Sequence, residues 1–181
     1  MSDIRAAYRY ALAMIDVAEG RNELDEVTKD IQLLDTLAGE SREFFLFLKS
    51  PVVKTEKKKR VLTDLLKGKV SDATFKFVLL LVSKNREGLL ADIIQQFYRL
   101  RDERLGIINV TVRTAMRFSD KQEKQLISQL ERATKKKIRL QTVVDPSGKG
   151  GFVIQFEDTV WDASVKHQLE LFKKRLVEEA A

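Results

Sequence analysis

The sequence predicts an α+β fold: an N-terminal six-helix bundle over residues 1–105, followed by a small C-terminal α/β domain over residues 106–181. Three observations carry this. From Ile4 to Leu100 apolar residues recur at spacings of three and four, the mark of amphipathic helices. At Gly106 the period changes to two, with Ile108, Val110 and Val112 alternating against Asn109, Thr111 and Arg113. Within the helical part, Phe75 to Asn85 holds six consecutive apolar residues, Phe77 to Val82, too continuous for one face of a surface helix.

Ile4, Tyr8, Ala11, Ile15 and Ala18 define the first helix, and Tyr10, Ala13, Met14 and Val17 form a second apolar edge beside that stripe. Leu24, Val27, Ile31, Leu34 and Ala38 give a second helix ended by Gly39. Phe44 to Leu48 is a short run that halts at Ser50-Pro51, because proline disfavours the helical conformation in the residue before it. Thr55 opens the next helix. Its cationic run, Lys57 to Arg60, reads either as a localisation or phosphate-binding cluster or as a solvated helix face, and the stripe Val61, Leu62, Leu65, Leu66 that follows at once favours the face.

The central run is read as a helix with Asp72 as N-cap, since its flanks carry helical spacing. It is far shorter than the about 20 apolar residues that span a bilayer. Phe75, Val78, Leu79 and Val82 make a stripe for the core; Phe77, Leu80, Leu81 and Lys84 make a second, which meets either more core or a partner helix. Leu90, Ile93, Ile94, Phe97 and Leu100 complete the helical part. Beyond Gly106, Ser119 with Gln122 and Glu123 opens a helix carrying Leu126, Ile127, Leu130 and Ala133. Strands are expected from Ile138 to Val144 and from Phe152 to Phe156, joined by a glycine-rich hairpin. Trp161 is read as an anchor over the sheet, or second as an interface residue, and Asp162 or Ser164 as the cap of a last helix that buries Val165, Leu169, Phe172 and Leu176.

Composition bounds the function class. With 44% hydrophobic residues the 181-residue chain can bury a real core. It has no cysteine and a single histidine, His167, so thiolate chemistry is excluded and a histidine metal site cannot be built. Acids interspersed through the first twenty residues are unlike a signal or transit peptide, so the chain is expected to stay where it is made. The net charge of +6 is concentrated late: Arg113 to Arg139 holds nine basic residues and three acids, a footprint for nucleic acid or an acidic protein, or a solvated surface.

Motifs for chemistry fail on inspection. Gly148-Lys149-Gly150-Gly151 lacks the glycine that a phosphate-binding loop needs five residues before the Gly-Lys pair, where Val143 stands, and the Ser or Thr after the lysine. Glu157, Asp158 and Asp162 could hold a cation or could serve as caps and turns. A nucleic-acid module on the basic stretch and a small-molecule enzyme using these carboxylates are the rival readings. Neither accounts for the two-sided central helix.

Three stretches together resemble the delta subunit of the F-type ATP synthase, the counterpart of the mitochondrial oligomycin-sensitivity-conferring protein. Arg9-Tyr10-Ala11-Leu12-Ala13 with Val17-Ala18 is similar to the family's Tyr-Ala-x-Ala-Leu opening, with Met14 and Ile15 where leucine and phenylalanine are usual. Phe47-Leu48-Lys49-Ser50-Pro51-Val52-Val53 resembles its Phe-Leu-x-x-Pro segment. Asp145-Pro146-Ser147, then Gly150-Gly151-Phe152, Asp158, Asp162, Ser164 and Gln168-Leu169, is the most specific signature. Gly148 and Lys149 depart from it, standing where two apolar residues are usual.

The resemblance, spanning about residues 4 to 177, implies a non-catalytic stator subunit without cofactors or metal. It would join the catalytic head to the peripheral stalk at the cytoplasmic face of a bacterial plasma membrane, or an equivalent organellar one, without inserting into it. It implies a groove between the first and fifth helices for the N-terminal helix of an alpha subunit, placed here on Tyr10, Ala13, Met14, Val17, Phe77, Leu80, Leu81 and Lys84. On this reading Phe77→Asp is expected to cost roughly 2 kcal/mol or more in binding while the monomer stays folded. The C-terminal domain would hold the b subunits, with Gly150, Gly151, Phe152, Asp158, Asp162 and Ser164 as the matching positions. No nucleic acid is expected as a partner.

Overall fold

The computed structural model describes residues 2–50, 52–146, 150–156 and 159–179. They form two compact units, Met1–Arg101 and Asp102–Ala181, the division falling inside one helix. The first unit contains α1 (Ser2–Gly20), α2 (Leu24–Glu40), α3 (Arg42–Lys49), α4 (Thr55–Leu66), α5 (Asp72–Ser83) and most of α6 (Leu90–Arg104), entered through a 3-10 turn at Glu87–Leu89. The fold class is the expected one.

The central run is the hub of this unit. α5 packs against α1, α2 and α4, and Phe77, Val78, Leu81 and Val82 join Ile15, Ile31, Leu34, Leu62, Leu66, Ile94 and Phe97 in one core. Cover on two sides is therefore met largely by the chain itself. Only Leu80 and Lys84 of the second stripe stay exposed. The cap is Ser71 rather than Asp72: its Oγ accepts from the Thr74 N–H, while its own N–H and hydroxyl donate to Asp30 Oδ2 at 2.9 and 2.6 Å. That pair of bonds satisfies the buried Asp30 carboxylate and ties α2 to the start of α5.

On α1 the buried line is Ala7, Ala11, Met14, Ile15 and Ala18, whereas Ile4 and Tyr8, expected inside, are exposed. Each residue turns the helix by about 100°, so with Ala7 and Ala11 on the buried line Tyr8 lies off it. The cationic run is also not uniformly solvated. Lys58 is buried, its Nζ donating to Glu87 Oε1 and, at 2.7 Å, to the carbonyl of Leu48. A helix that must stop before Pro51 leaves its last carbonyls without partners, and Lys58 supplies one.

The second unit holds β1 (Ile107–Thr114), α7 (Asp120–Thr134), β2 (Lys137–Val144), β3 (Phe152–Phe156), β4 (Thr159–Asp162) and α8 (Val165–Glu179). The sheet order is β2-β1-β3-β4, with β1 and β2 parallel and the other pairs antiparallel. A parallel pair needs a crossover, and α7 provides it, opened by the expected capping box between Ser119 and Gln122. Ile108, Val110 and Val112 alternate into a core with Leu130 and Ile154. Asp102, buried in the last turns of α6, accepts from Asn109 Nδ2 at 2.8 Å and Arg139 Nη1 at 2.6 Å, so one member of the basic stretch is committed to holding β1 and β2.

Three expectations are corrected here. The glycine-rich segment is no hairpin, since β3 pairs with β1 and not with β2; β1, with its alternately buried face, takes the central place between them. The true hairpin is β3 with β4, a strand that sequence periodicity did not reveal because all four of its residues are exposed. Finally, Val165, Leu169, Phe172 and Leu176 of α8 are not buried, and Trp161 is 67% exposed rather than anchored over the sheet.

Candidate functional site

The two sides of the α1–α5 seam share one aromatic contact. Tyr10 meets Phe77 edge-on, with ring centroids 6.4 Å apart and planes at 73°. Of the eight residues assigned to this seam, Met14, Phe77 and Leu81 are buried in the core beneath it, and Tyr10 is half-buried. Ala13, Val17, Leu80 and Lys84 are its exposed members; Val17 and Leu80 are each 45% exposed. An apolar strip flanked by a lysine can take the apolar face of another helix. The burial of Phe77 changes the test of this strip. Phe77→Asp would place a carboxylate in the bundle core and unfold the unit, so a folded variant with weakened binding is not its expected outcome.

The C-terminal candidates gather at the start of α8, and their geometry explains most of them as architecture. Gly151 has φ +76°, and a Cβ there would stand 2.4 Å from the Ala163 carbonyl oxygen. Gly150, at φ +136°, accepts from the Val165 N–H, and Phe152 accepts from the Ala163 N–H at 2.9 Å while its ring packs edge-on against Phe118. Ser164 Oγ accepts from the His167 N–H, so Ser164 caps α8. Asp162 Oδ1 accepts from the Ser164 N–H at 2.8 Å. Asp158, with Glu157, Gly148 and Lys149, lies outside the described residues.

Hydrogen bonds from Ser164, side chain first and backbone second, hold the Asp162 carboxyl below the usual aspartate range, with His167 and Lys166 adding charge. The sign follows: a lowered folded value gives stabilisation present at neutral pH and lost only as pH falls through that value. An NMR titration should find Asp162 acidic relative to an unperturbed aspartate, and Ser164→Ala should move it upward.

What the sequence reading missed is the apolar surface beside this turn. Leu169 and Phe172 are 63% and 60% exposed, with Val165, Leu176, Val160 and Trp161 near them in the chain. The signal was the same i, i+4, i+7 stripe read as buried. In a unit whose sheet core is filled from α7 by Leu126 and Leu130, no further element among the described residues covers it.

Two units, one helical and one strand-bearing, each with apolar side chains left exposed, suit a part that joins other parts. The model of the ATP synthase delta (OSCP) subunit matches residues 6–176. The chain belongs to the ATP synthase delta (OSCP) subunit family. It is 42% identical over 180 residues to ATP synthase subunit delta of Chlorobium phaeobacteroides strain BS1, covering 99% of this chain and all of that protein. Identity is 39% over 181 residues, the whole of both chains, to ATP synthase subunit delta of Chlorobaculum tepidum. The fold is shared with a chain in the cryo-EM structure of the Toxoplasma gondii mitochondrial ATP synthase hexamer, at TM-score 0.70 and 24% identity over 94% of this chain and 97% of that one. As a delta-family protein it is a non-catalytic stator subunit of a rotary ATP synthase, a peripheral part of a membrane-associated complex. Among the described residues no helix is long and apolar enough to cross a membrane.

Proposed function

We propose that the helical unit takes the N-terminal helix of an alpha subunit along the α1–α5 seam, and that the second unit holds the ends of the b subunits along α8, at the cytoplasmic face of the membrane. The observation that carries this is that Val17 and Leu80 stay exposed on the two helices that the Tyr10–Phe77 contact joins. A stator must bear torque without slipping, and an apolar groove supplies affinity that salt does not weaken. Met14, Phe77 and Leu81 act as the floor of the seam, setting the shape that Ala13, Val17, Leu80 and Lys84 present. On the other unit, Gly150, Gly151, Asp162 and Ser164 set the start of α8, and Leu169 and Phe172 offer the contact. The basic excess of this unit favours an acidic stalk helix electrostatically.

A crossed titration of the full chain tests both assignments, using one synthetic peptide from the N-terminal helix of the alpha subunit and one from the C-terminal end of the stalk's b subunits. Leu80→Asp is expected to weaken the alpha peptide by about 2 kcal/mol, near 30-fold, and to leave the stalk peptide unaffected. Phe172→Asp should do the reverse. Both side chains are exposed, so both variants should keep the parent's melting curve. Unchanged alpha-peptide affinity in Leu80→Asp would remove the seam from the reading, and unchanged stalk-peptide affinity in Phe172→Asp would remove α8.

A further inference from the structure

We propose a second docking surface on the helical unit, between α1 and α6, whose occupant is an acidic amphipathic helix of a neighbouring subunit. The surface is an open groove of about 630 Å³ lined by Ile4, Arg5, Tyr8 and Arg9 of α1 and by Gln96 and Arg99 of α6. It uses none of the residues of the α1–α5 seam, and the inference does not rest on what that seam binds.

The chemistry of the lining selects the occupant. Ile4 and Tyr8 stand one helical turn apart and are 62% and 44% exposed, an apolar strip that the fold leaves in water. Around them are three guanidinium groups and no carboxylate. The carboxylate of Asp3, next in the chain, lies 3.7 Å from Arg86, and Asp92, one turn before Gln96, is outside the lining. Among the described residues no ion pair involves Arg5, Arg9 or Arg99. Three like charges on one groove repel one another until carboxylates arrive, and a guanidinium takes a carboxylate in a two-pronged bond that a lysine cannot match. A small anion would satisfy the arginines and leave Ile4 and Tyr8 wet. A wholly apolar helix would cover those two and strand the charges. Only a helix with an apolar stripe flanked by Asp or Glu answers both, and its association should be steered by charge and weakened by salt.

The test uses the full chain and a fluorescein-labelled model helix of about five turns, bearing a leucine stripe flanked by glutamates, with a lysine-flanked version as control. Fluorescence anisotropy should show the glutamate helix binding, the lysine helix not, and the affinity falling as salt is added. The combined variant Arg5→Glu, Arg9→Glu, Arg99→Glu, all at exposed positions, should lose about tenfold or more in affinity with an unchanged melt, while Leu80→Asp keeps it. Equal binding of both model helices, retention by the arginine variant, or loss in Leu80→Asp overturns the proposal. In assembled ATP synthase, a photoreactive benzoylphenylalanine in place of Tyr8 should crosslink to an acidic helical segment. An adduct on a basic or non-helical segment, or none, overturns it equally.

Discussion

Lys58→Met is expected to destabilise the helical unit by about 3–5 kcal/mol, the cost of leaving a buried charge without its partner. Lys58 Nζ is the ion-pair partner of Glu87 Oε1 and a donor to the Leu48 carbonyl, and Lys58 and Glu87 are both over nine-tenths buried. Removing the ammonium strands a carboxylate whose other oxygen, Oε2, already lacks a partner among the described residues. It also removes the donor at the end of α3. A urea titration should show a lower midpoint for this unit with an unchanged slope. Lys58→Met with Glu87→Leu should recover most of the loss, because replacing both members of a buried pair by apolar groups is often close to neutral. If the single variant is as stable as the parent, the pair is not what holds α3, α4 and the 3-10 turn together.

The same lysine marks where sequence reading stops. One-dimensional spacing carries the period of an element, so the stripes of α2, α5 and α6 and the alternation of β1 were legible, down to the Ser119 capping box. It does not carry what lies opposite. Lys58 looks like its neighbours Lys57 and Lys59 in the chain; only the approach of Glu87, 29 residues on, and the halted end of α3 make it a core residue. Likewise Tyr8 and Ala7 differ by one step in sequence, and which of them faces the bundle depends on how closely another helix can come. Sheet order escaped for the same reason. Successive strands usually pair, yet β1 takes both β2 and β3 as neighbours, so β2 and β3 do not pair with each other.

The candidate surfaces follow a related rule. A stripe that repeats every three or four residues is the same pattern whether its partner belongs to this chain or to another. For α5 the chain itself fills most of both stripes, leaving Leu80 and Lys84 outside. For α8 it fills almost none, and Leu169, Phe172 and Leu176 remain exposed. Summing hydrophobicity along either helix would not tell them apart. Counting the elements available to cover them does: among the described residues six helices contribute to one core in the first unit, whereas in the second α7 is already spent on the sheet. Missing cover within a chain is the trace that an assembly leaves on its parts.

Gly151→Ala is expected to strike the second unit where that trace begins. A left-handed backbone costs an L-residue roughly 1–2 kcal/mol, and here φ is +76°. The added Cβ would also stand 2.4 Å from the Ala163 carbonyl oxygen and 2.8 Å from the Ser164 Cα, both backbone atoms with no side chain to swing aside. Displacing packed backbone costs about 1–3 kcal/mol more. The displaced segment holds the Asp162 and Ser164 caps, and it carries the Ala163 N–H bond to Phe152 and the Val165 N–H bond to Gly150. Relief of the clash therefore has to come from moving the start of α8. On the proposed assignment of the stalk peptide to this unit and the alpha peptide to the helical one, binding of the stalk peptide should weaken with the stability of this unit, while alpha-peptide binding should stay at the parent value. Two-probe denaturation, following Trp161 fluorescence and far-ultraviolet helicity, should separate the transitions, the tryptophan signal moving first. Coincident, parent-like transitions would mean that the turn yields without moving α8. In that case Gly151 is a matter of local geometry alone, and the glycine pair has no part in setting α8.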